Sequence, residues 1–199
     1  MRLLIATRNA HKTEEIRAIL GPAWEVGDLN AHPDAASPEE TGETFAANAA
    51  IKALAASRVC EGWVLADDSG LEVDALEGAP GVRSARYAGE GATDADNRAK
   101  LLAALEGVRG KARSARFRCA MVLAKSGVVL GTFEGAVEGV IVNLERGQGG
   151  FGYDALFVPE GHCETFAQLP PATKNQLSHR GRAMHQVRAH LSTQTTSPK

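Results

Sequence analysis

The chain has 199 residues, with 22 lysines and arginines against 24 aspartates and glutamates, and a formal net charge of -2. This balance excludes a protein held on a nucleic-acid polymer by a broad basic field, because that mode of binding requires a surplus of positive charge. A chain of this length buries about 70% of the surface that its unfolded form exposes, so its fold requires neither disulfides nor a structural metal. Single nucleotides are compatible with this charge.

The cysteines and the N-terminal residues indicate a cytoplasmic protein. Cys60, Cys119 and Cys163 are far apart and form no C-x-x-C pair, which predicts free, mostly buried thiols rather than a disulfide framework or a zinc site. The apolar stretch from Leu3 to Ala6 is too short for a signal peptide or a membrane span. We therefore expect no membrane partner.

Apolar spacing and turn residues predict alternating strands and helices in the first half of the chain. The predicted elements are a strand over 3–6, a helix over 12–20, an acidic loop over 31–44, a helix over 45–57, a strand over 63–66 and a period-two segment over 71–76. The strand over 63–66 is followed abruptly by Asp67 and Asp68. We therefore expect these carboxylates at the end of a strand.

In the second half of the chain, the apolar spacing predicts a helix, a strand-rich stretch and a closing helix. The expected elements are a helix over 94–105, strands over 117–125, 128–133 and 137–142, a short strand over 155–158 and a helix over 177–191. A Ser126-Gly127 turn makes the middle of this region an antiparallel hairpin or meander. The pattern predicts a single α/β domain over 1–191, and residues 192–199 are expected to form a flexible tail.

A polar loop, Thr7-Arg8-Asn9-Ala10-His11-Lys12, lies between the first strand and the first helix. A helix N-terminus offers unpaired N–H groups and a partial positive charge, and Arg8, Asn9 and Lys12 add donors suited to phosphate. The pattern is not a P-loop. An ordinary capped loop in solvent explains the same residues.

Acidic residues precede the Ala-rich helix, on which Asn48 and Lys52 are spaced to share one face. Because Mg²⁺ favours carboxylates together with phosphate oxygens, one aspartate after the strand and one glutamate of the acidic loop suffice as its protein ligands. If strand geometry persists through Asp67 and Asp68, one faces the site and the other supports it. A solvated helix face and a structural Asp-Ser-Gly turn are the alternatives.

The glycine-rich segment over 147–154 matches G-x-G-x-x-G, yet it precedes a strand rather than a helix, so it does not indicate a dinucleotide site. Its Phe151, Tyr153 and Asp154 suit stacking on a base and hydrogen bonding to the edge of that base. Aromatic rings that pack into the core of the domain are the alternative.

A basic group follows, with Lys174 and the segment Ser178-His179-Arg180-Gly181. The planar donors of arginine and the N–H of histidine suit a keto oxygen and a ring nitrogen of a purine. As an isolated triplet, the same residues would form a basic surface patch.

Taken in order, these segments resemble the inosine triphosphate pyrophosphatase family. The resemblance covers residue 3 to about residue 191 and rests on five segments: 7–12, 39–53, 66–89, 149–154 and 178–181. Ala155 departs from the family, which commonly has proline there. Arg8 and His11 stand where smaller residues are frequent, and Arg8 either adds a phosphate contact or points to solvent.

The resemblance implies an elongated mixed α/β fold, with a central mixed sheet and two lobes flanking a substrate cleft, usually in a homodimer. It also implies an enzyme that uses Mg²⁺ to split non-standard purine nucleoside triphosphates (ITP, dITP and XTP) into a monophosphate and pyrophosphate. Such an enzyme cleanses the nucleotide pool.

The resemblance also implies roles for individual residues. Asp68 and Lys52 would be catalytic, and Glu40 and Asp68 would hold the metal, with Glu39 as a less favoured alternative to Glu40. Thr7, Asn9 and Lys12 would hold phosphates, Phe151 would stack on the base, and the residues that bind its edge would be Asp154, Lys174, His179 and Arg180. The remaining predicted substrate-binding residues are Arg8, Ala10, His11, Ser69, Gly152 and Tyr153.

Two other functions are compatible with parts of the pattern. A Maf-like pyrophosphatase would act on modified pyrimidine nucleotides, but the S-H-R and F-G-Y-D segments argue against it. A nucleotide sensor without catalysis is disfavoured because Glu40, Lys52 and Asp68 are all present.

Overall fold

The computed structural model describes residues 1–35 and 37–195, which form a mixed α/β fold, as predicted. The strands are β1 (Arg2–Ile5), β2 (Glu25–Asp28), β3 (Trp63–Val73), β4 (Ser114–Lys125), β5 (Val128–Ile141) and β6 (Phe157–Pro159). The helices are α1 (Ala10–Leu20), α2 (Phe45–Val59), α3 (Asp94–Ala104), α4 (Pro171–Leu177) and α5 (His179–Thr195). Among the described residues, no helix combines the length and the apolar character that a membrane span requires.

The strands form one mixed sheet in the order β2-β1-β3-β4-β5-β6. Strand β1 is parallel to both β2 and β3, whereas β5 and β6 are antiparallel. Ser126 and Gly127 connect β4 to β5 with φ angles of 51° and 77°. Positive φ at both central residues is what the two-residue turn of a β-hairpin requires, so the predicted hairpin is confirmed.

The chain divides into two compact units, and β3, β4 and β5 contribute residues to both. Unit 1 contains residues 1–68, 119–135 and the C-terminal segment from His179. Unit 2 contains residues 69–118 and 136–178.

In unit 1, alternate strand residues pack against two different sets of helices. One set packs with α1 and α5 and consists of Leu3, Ile5, Leu65, Met121 and Leu123. The other packs with α2 and consists of Leu4, Ala6, Val64, Ala66, Val122 and Ala124. Because side chains alternate along a strand, Asp67 continues the first set and Asp68 continues the second.

The core of unit 2 is built around an aromatic cluster. The ring centroids of Phe117 and Phe157 lie 4.8 Å apart, and those of Phe157 and Phe166 lie 5.2 Å apart. Leu101 of α3 is fully buried in the same cluster. Tilted aromatic pairs at these distances add to the stabilisation that burial supplies.

Two predicted strand boundaries are wrong. Strand β3 continues through Asp67 and Asp68 to Val73, so the carboxylates lie within a strand and not at its end. Strand β5 is continuous where a break was predicted between 133 and 137. A side chain at Gly135 would collide with the carbonyl oxygen of His179, so this glycine marks the close approach of another backbone and not a turn.

The prediction of one closing helix over 177–191 is also wrong, because Ser178 separates α4 from α5. Helix α5 continues to Thr195, so residues 192–195 of the predicted tail are helical. Residues 196–199 of that tail lie outside the described residues. The three cysteines are free, as predicted, with Cys60 and Cys119 buried and Cys163 exposed.

Candidate active site

The two adjacent aspartates lie just beyond the parallel part of the sheet. Strand β1 ends at Ile5, which pairs with Leu65 of β3, and β3 continues from there to Asp67 and Asp68. In open α/β sheets, ligands bind beyond the carboxyl ends of parallel strands. The strand alternation sends these two carboxylates to opposite faces, where each meets different partners.

Asp67 is 2% exposed and lies among cations. Its Oδ2 is 3.1 Å from Lys12 Nζ and 3.1 Å from Arg180 Nη2, and Arg180 also pairs with Glu15 of α1. Burial by itself would raise the pKa of Asp67, but Lys12 and Arg180 outweigh that effect, so the pKa lies well below its usual value. Asp67 is therefore a permanently charged anchor for Lys12.

Asp68 has the opposite electrostatic character. Its Oδ2 accepts a hydrogen bond of 3.2 Å from Asn48 Nδ2, and its Oδ1 lies 3.3 Å from Lys52 Nζ. Burial raises the pKa of Asp68, and the nearby Glu40 raises it further, while Lys52 only partly compensates. A carboxylate with a raised pKa has the greater affinity for a proton that a general base needs.

Lys52 is shared by two carboxylates. Its Nζ lies 3.0 Å from Glu40 Oε1 as well as 3.3 Å from Asp68 Oδ1. Burial would lower the pKa of Lys52, but the neighbouring carboxylates, above all Asp68, raise it, so the ammonium group stays charged. Glu40, and not the exposed Glu39, is thus the glutamate that shares a cation with Asp68.

Asn48 joins the acidic loop to the same aspartate. While its Nδ2 donates to Asp68, its Oδ1 accepts a hydrogen bond of 2.7 Å from the Gly42 backbone N–H. A Cβ at Gly42 would lie 2.6 Å from Asn48 Oδ1 and 2.8 Å from Ala47 Cβ, so no side chain fits there. The sequence pattern placed Asn48 beside Lys52, but it contained no signal for this double contact.

The polar loop caps its own helix. Asn9 Oδ1 accepts hydrogen bonds from the backbone N–H groups of His11 and Lys12, and Thr7 Oγ1 accepts one from the Asn9 N–H. These amides belong to the helix N-terminus that was predicted to hold phosphate. Ala10 and His11 are exposed at the start of α1.

The Arg8 side chain is directed at backbone carbonyl groups. Its Nη1 donates to Leu29 O at 2.7 Å, and its Nη2 donates to Ala35 O at 2.9 Å. The predicted alternatives for Arg8 were a phosphate contact or solvent; Arg8 is exposed, and its guanidinium group also makes these bonds to backbone carbonyls.

In unit 2, Phe151, Asp154 and Lys174 form one cluster. Lys174 Nζ lies 2.6 Å from Asp154 Oδ2, which also accepts a hydrogen bond of 2.9 Å from the Phe151 N–H. The same Nζ lies 5.1 Å from the centroid of the half-buried Phe151 ring. A cation at this distance is attracted to the ring and fixes its orientation.

The neighbours of Phe151 are held from within unit 2. The Gly152 N–H donates to Asp94 at 2.6 Å, and its carbonyl accepts from Arg98 at 2.9 Å. The buried Tyr153 donates its hydroxyl to the Ser84 carbonyl at 2.8 Å, so its ring belongs to the core. Of the two aromatic residues of the glycine-rich segment, Phe151 is half-buried, whereas Tyr153 is part of the core.

Two further predicted residues are partly or largely buried. Ser69 is half-buried and follows Asp68 in β3. His179 is 5% exposed and begins α5, next to Arg180. Of these two residues, Ser69 is the more accessible to solvent.

No group of three or more histidine, cysteine, aspartate or glutamate side chains within residues 1–35 and 37–195 is arranged to hold a metal ion. Glu40 and Asp68 are a smaller set, and both lie within ion-pair distance of one Lys52 Nζ. Carboxylate oxygens are the protein ligands that a hard cation such as Mg²⁺ favours. This pair is the set of residues that could hold a divalent metal.

The chain is similar to curated proteins and to solved structures over most of its length. A curated dITP/XTP pyrophosphatase of Desulforamulus reducens is 49% identical over 92% of this chain and 92% of its own length. One of Geobacter sulfurreducens is 49% identical over 96% of both chains. The solved structure of a HAM1 protein from Coxiella burnetii superimposes with a TM-score of 0.86 at 39% identity, covering 97% of this chain and 99% of that chain.

The family comparison covers nearly the whole chain. Residues 3–190, which include every segment on which the resemblance rests, match the model of the Ham1 family. The fold, the segments and the identities agree along this length. The chain therefore belongs to the Ham1 family.

Proposed function

We propose that this chain is a dITP/XTP pyrophosphatase, which hydrolyses non-standard purine nucleoside triphosphates (ITP, dITP and XTP) to the monophosphate and pyrophosphate. Curated relatives of nearly equal length carry this name. The observation that carries the proposal is the Lys52 ammonium group held between Glu40 and Asp68, beside a second lysine, Lys12, held by Asp67. Such a set handles both the negative charge of a triphosphate and the proton of an attacking water.

The donor set fits Mg²⁺. Glu40 and Asp68 supply hard carboxylate oxygens, and Mg²⁺ takes few protein carboxylates because phosphate oxygens and water complete its shell. When bound there, Mg²⁺ would neutralise phosphate charge and lower the pKa of a bound water. Inactivity with a chelator, restored by Mg²⁺, tests this assignment.

In the proposed mechanism, the residues of unit 1 act on the phosphates. Asp68 accepts the proton of the water as the α–β phosphoanhydride bond breaks and pyrophosphate leaves. Lys52 and Lys12 stabilise the negative charge that develops on the phosphate oxygens. Asn48 holds the Asp68 carboxylate in one orientation throughout, because Asn48 is fully buried and bonded at both ends.

Base recognition is assigned to Phe151, Asp154 and Lys174 in unit 2, where Phe151 stacks on the purine. A 6-keto oxygen accepts hydrogen bonds, whereas the 6-amino group of adenine cannot accept one from a donor that faces this position, at a cost of about 1–3 kcal/mol. Arg180 donates to Glu15 and Asp67, and its main role in the proposal is to hold Asp67. A contact between Arg180 and the base stays a prediction.

The test is release of pyrophosphate from dITP, XTP, ITP, ATP and GTP, with and without Mg²⁺. We expect rapid release from the first three and far slower release from ATP and GTP. Equal rates on ITP and ATP would refute the proposed specificity. Inactivity on all five nucleotides would refute the proposed pyrophosphatase activity.

The curated relatives do not favour a Maf-like pyrophosphatase or a sensor. Preferred hydrolysis of a modified pyrimidine triphosphate, added to the same panel, would indicate a Maf-like pyrophosphatase. Turnover of any nucleotide would exclude a sensor without catalysis. The homodimer and the cytoplasmic location stay predictions, and sedimentation of the purified chain tests the dimer.

A further inference from the structure

Arg8 connects the polar loop of residues 7–12 to a second loop of unit 1, residues 29–35. Its two terminal nitrogens donate to Leu29 O and Ala35 O at 2.7 and 2.9 Å, and Nη2 lies 3.5 Å from His32 O. One guanidinium group thus satisfies carbonyl groups at both ends of the second loop.

The second loop returns hydrogen bonds to the first. The Leu29 N–H donates to the Thr7 carbonyl at 3.1 Å, and Asn30 Nδ2 donates to the Arg8 carbonyl at 3.3 Å. The two loops are therefore bonded in both directions, and Arg8 supplies the bonds that reach furthest along the chain, to Ala35.

Ala35 lies five residues before Glu40 in the sequence, and Gly42 lies two residues after it. Gly42 is held by Asn48, as described above. Along the chain, Glu40 thus lies between Ala35, which Arg8 contacts, and Gly42, which Asn48 contacts. Arg8 itself belongs to the polar loop, between Thr7 and Asn9. Its side chain thus connects the polar loop with the chain that leads to Glu40.

We propose that Arg8 is a positioning residue that holds the 29–35 loop against the polar loop and thereby sets the position of Glu40, and that it does not bind the substrate phosphates. The catalytic part of this inference rests on the proposed pyrophosphatase function. Arginine suits the task because its planar group donates to several carbonyls at once, whereas a lysine ammonium on a flexible stem has a different reach and geometry.

The first test is amide hydrogen exchange of the whole chain without nucleotide or Mg²⁺. In Arg8→Ala and Arg8→Lys alike, the amides of residues 29–35 should exchange about tenfold faster than in the wild type, because hydrogen bonds from a charged group are lost. Arg2→Ala is the matched control, since it removes a cation of unit 1 whose ion pair with Glu25 is largely exposed. Unchanged exchange in both Arg8 variants would overturn the proposal.

The second test is pyrophosphate release from dITP over a range of Mg²⁺ concentrations. Both Arg8 variants should require about tenfold more Mg²⁺ for half-maximal rate, whereas Arg2→Ala should match the wild type. If Arg8→Lys kept the wild-type profile while Arg8→Ala lost it, the charge and not the carbonyl contacts would matter, and the proposal would be wrong. A wild type that releases no pyrophosphate would defeat the proposed function, while the exchange experiment would still decide the role of Arg8 in the loop.

Discussion

The charged cluster of unit 1 and the aromatic cluster of unit 2 are built differently. Unit 1 brings together groups from distant parts of the chain in two sets of ion pairs, Lys12 with Asp67 and Lys52 with Glu40 and Asp68. Unit 2 relies on one short loop and one ion pair, between Asp154 and Lys174, beside the Phe151 ring. Charges held in place by ion pairs suit the stabilisation of a transition state, whereas a ring beside one ion pair suits the binding of a flat base.

The difference predicts which kinetic quantity each region controls. Changes in the unit 1 cluster should lower kcat, because its groups act on the charge and the proton of the reaction. Changes in the unit 2 cluster should raise KM and reduce base discrimination. The variants below test that division, in order of decreasing expected effect.

Asp68→Asn should lower kcat by about 10³-fold, because the amide cannot accept the proton of the attacking water. The unfolding midpoint should stay close to that of the wild type, since burial already disfavours the charged form of Asp68. Initial rates of pyrophosphate release and thermal unfolding of the same preparation measure both quantities. A near-normal kcat would remove Asp68 from its proposed role.

Asp67→Asn should instead lower the free energy of unfolding, by about 3 kcal/mol, because it leaves the buried Arg180 with less opposing charge. Urea unfolding at neutral pH measures the loss, and Asp68→Asn is the matched control in the adjacent position. Equal destabilisation by the two substitutions would contradict the assignment of separate roles.

The pH dependence of unfolding sharpens this contrast, because the two pKa shifts have opposite signs. The lowered pKa of Asp67 means that its stabilisation is present above the ordinary value of 3.8 and is lost as the pH falls toward the folded-state pKa. The raised pKa of Asp68 favours the folded state below 3.8, and that contribution is lost as the pH rises through its folded-state pKa. Asp67→Asn should therefore reduce the loss of stability in acid, whereas Asp68→Asn should not.

Gly42→Ala should raise the Mg²⁺ concentration needed for half-maximal rate by about 10- to 100-fold. The new Cβ would meet Asn48 Oδ1 and Ala47 Cβ, and the acidic loop that carries Glu40 would have to move. Gly27→Ala is the matched control, because its Cβ would lie at an ordinary 3.6 Å from Leu4 Cδ1. The same Mg²⁺ requirement in both variants would show that the Gly42 contact does not position Glu40.

Phe151→Leu should raise KM for dITP by about tenfold with little change in kcat, because a base loses its stacking partner while the apolar volume is largely kept. Tyr87→Leu is the control, since Tyr87 also carries a lysine over its ring, with Lys100 Nζ 4.6 Å from the centroid. A fall in kcat with unchanged KM would contradict the proposal that the unit 2 cluster controls KM and the unit 1 cluster controls kcat.

The sequence singled out the two aspartates of β3, but it did not predict their geometry. Asp67 and Asp68 were expected at the end of a strand, because the apolar residues stop there and Asp, Ser and Gly are preferred in turns. Strand β3 accommodates them because Lys12 and Arg180 neutralise Asp67, while Asn48 and Lys52 hold Asp68. Those partners come from α1, α2 and α5, and no local pattern around β3 indicates them.

Arg8 illustrates the same limit. Its place in a polar loop before a helix is compatible with a phosphate contact or with exposure to solvent, since local rules consider only neighbouring residues. The carbonyl groups that it meets belong to residues more than twenty positions away, at Leu29 and Ala35. Contacts at such separations depend on how the chain folds back on itself, which single-sequence periodicity does not contain.

The sequence by itself determined the family, the mixed α/β class and the residue types of the site, because five ordered segments and the alternation of apolar residues are local and directly legible. Only the tertiary structure decided that Lys52 is shared by Glu40 and Asp68, and that Arg180 is held between Glu15 and Asp67. It also decided that two neighbouring aspartates have opposite pKa shifts. The physical reason is that burial and opposing charge set a pKa, and both arise only when distant segments pack together.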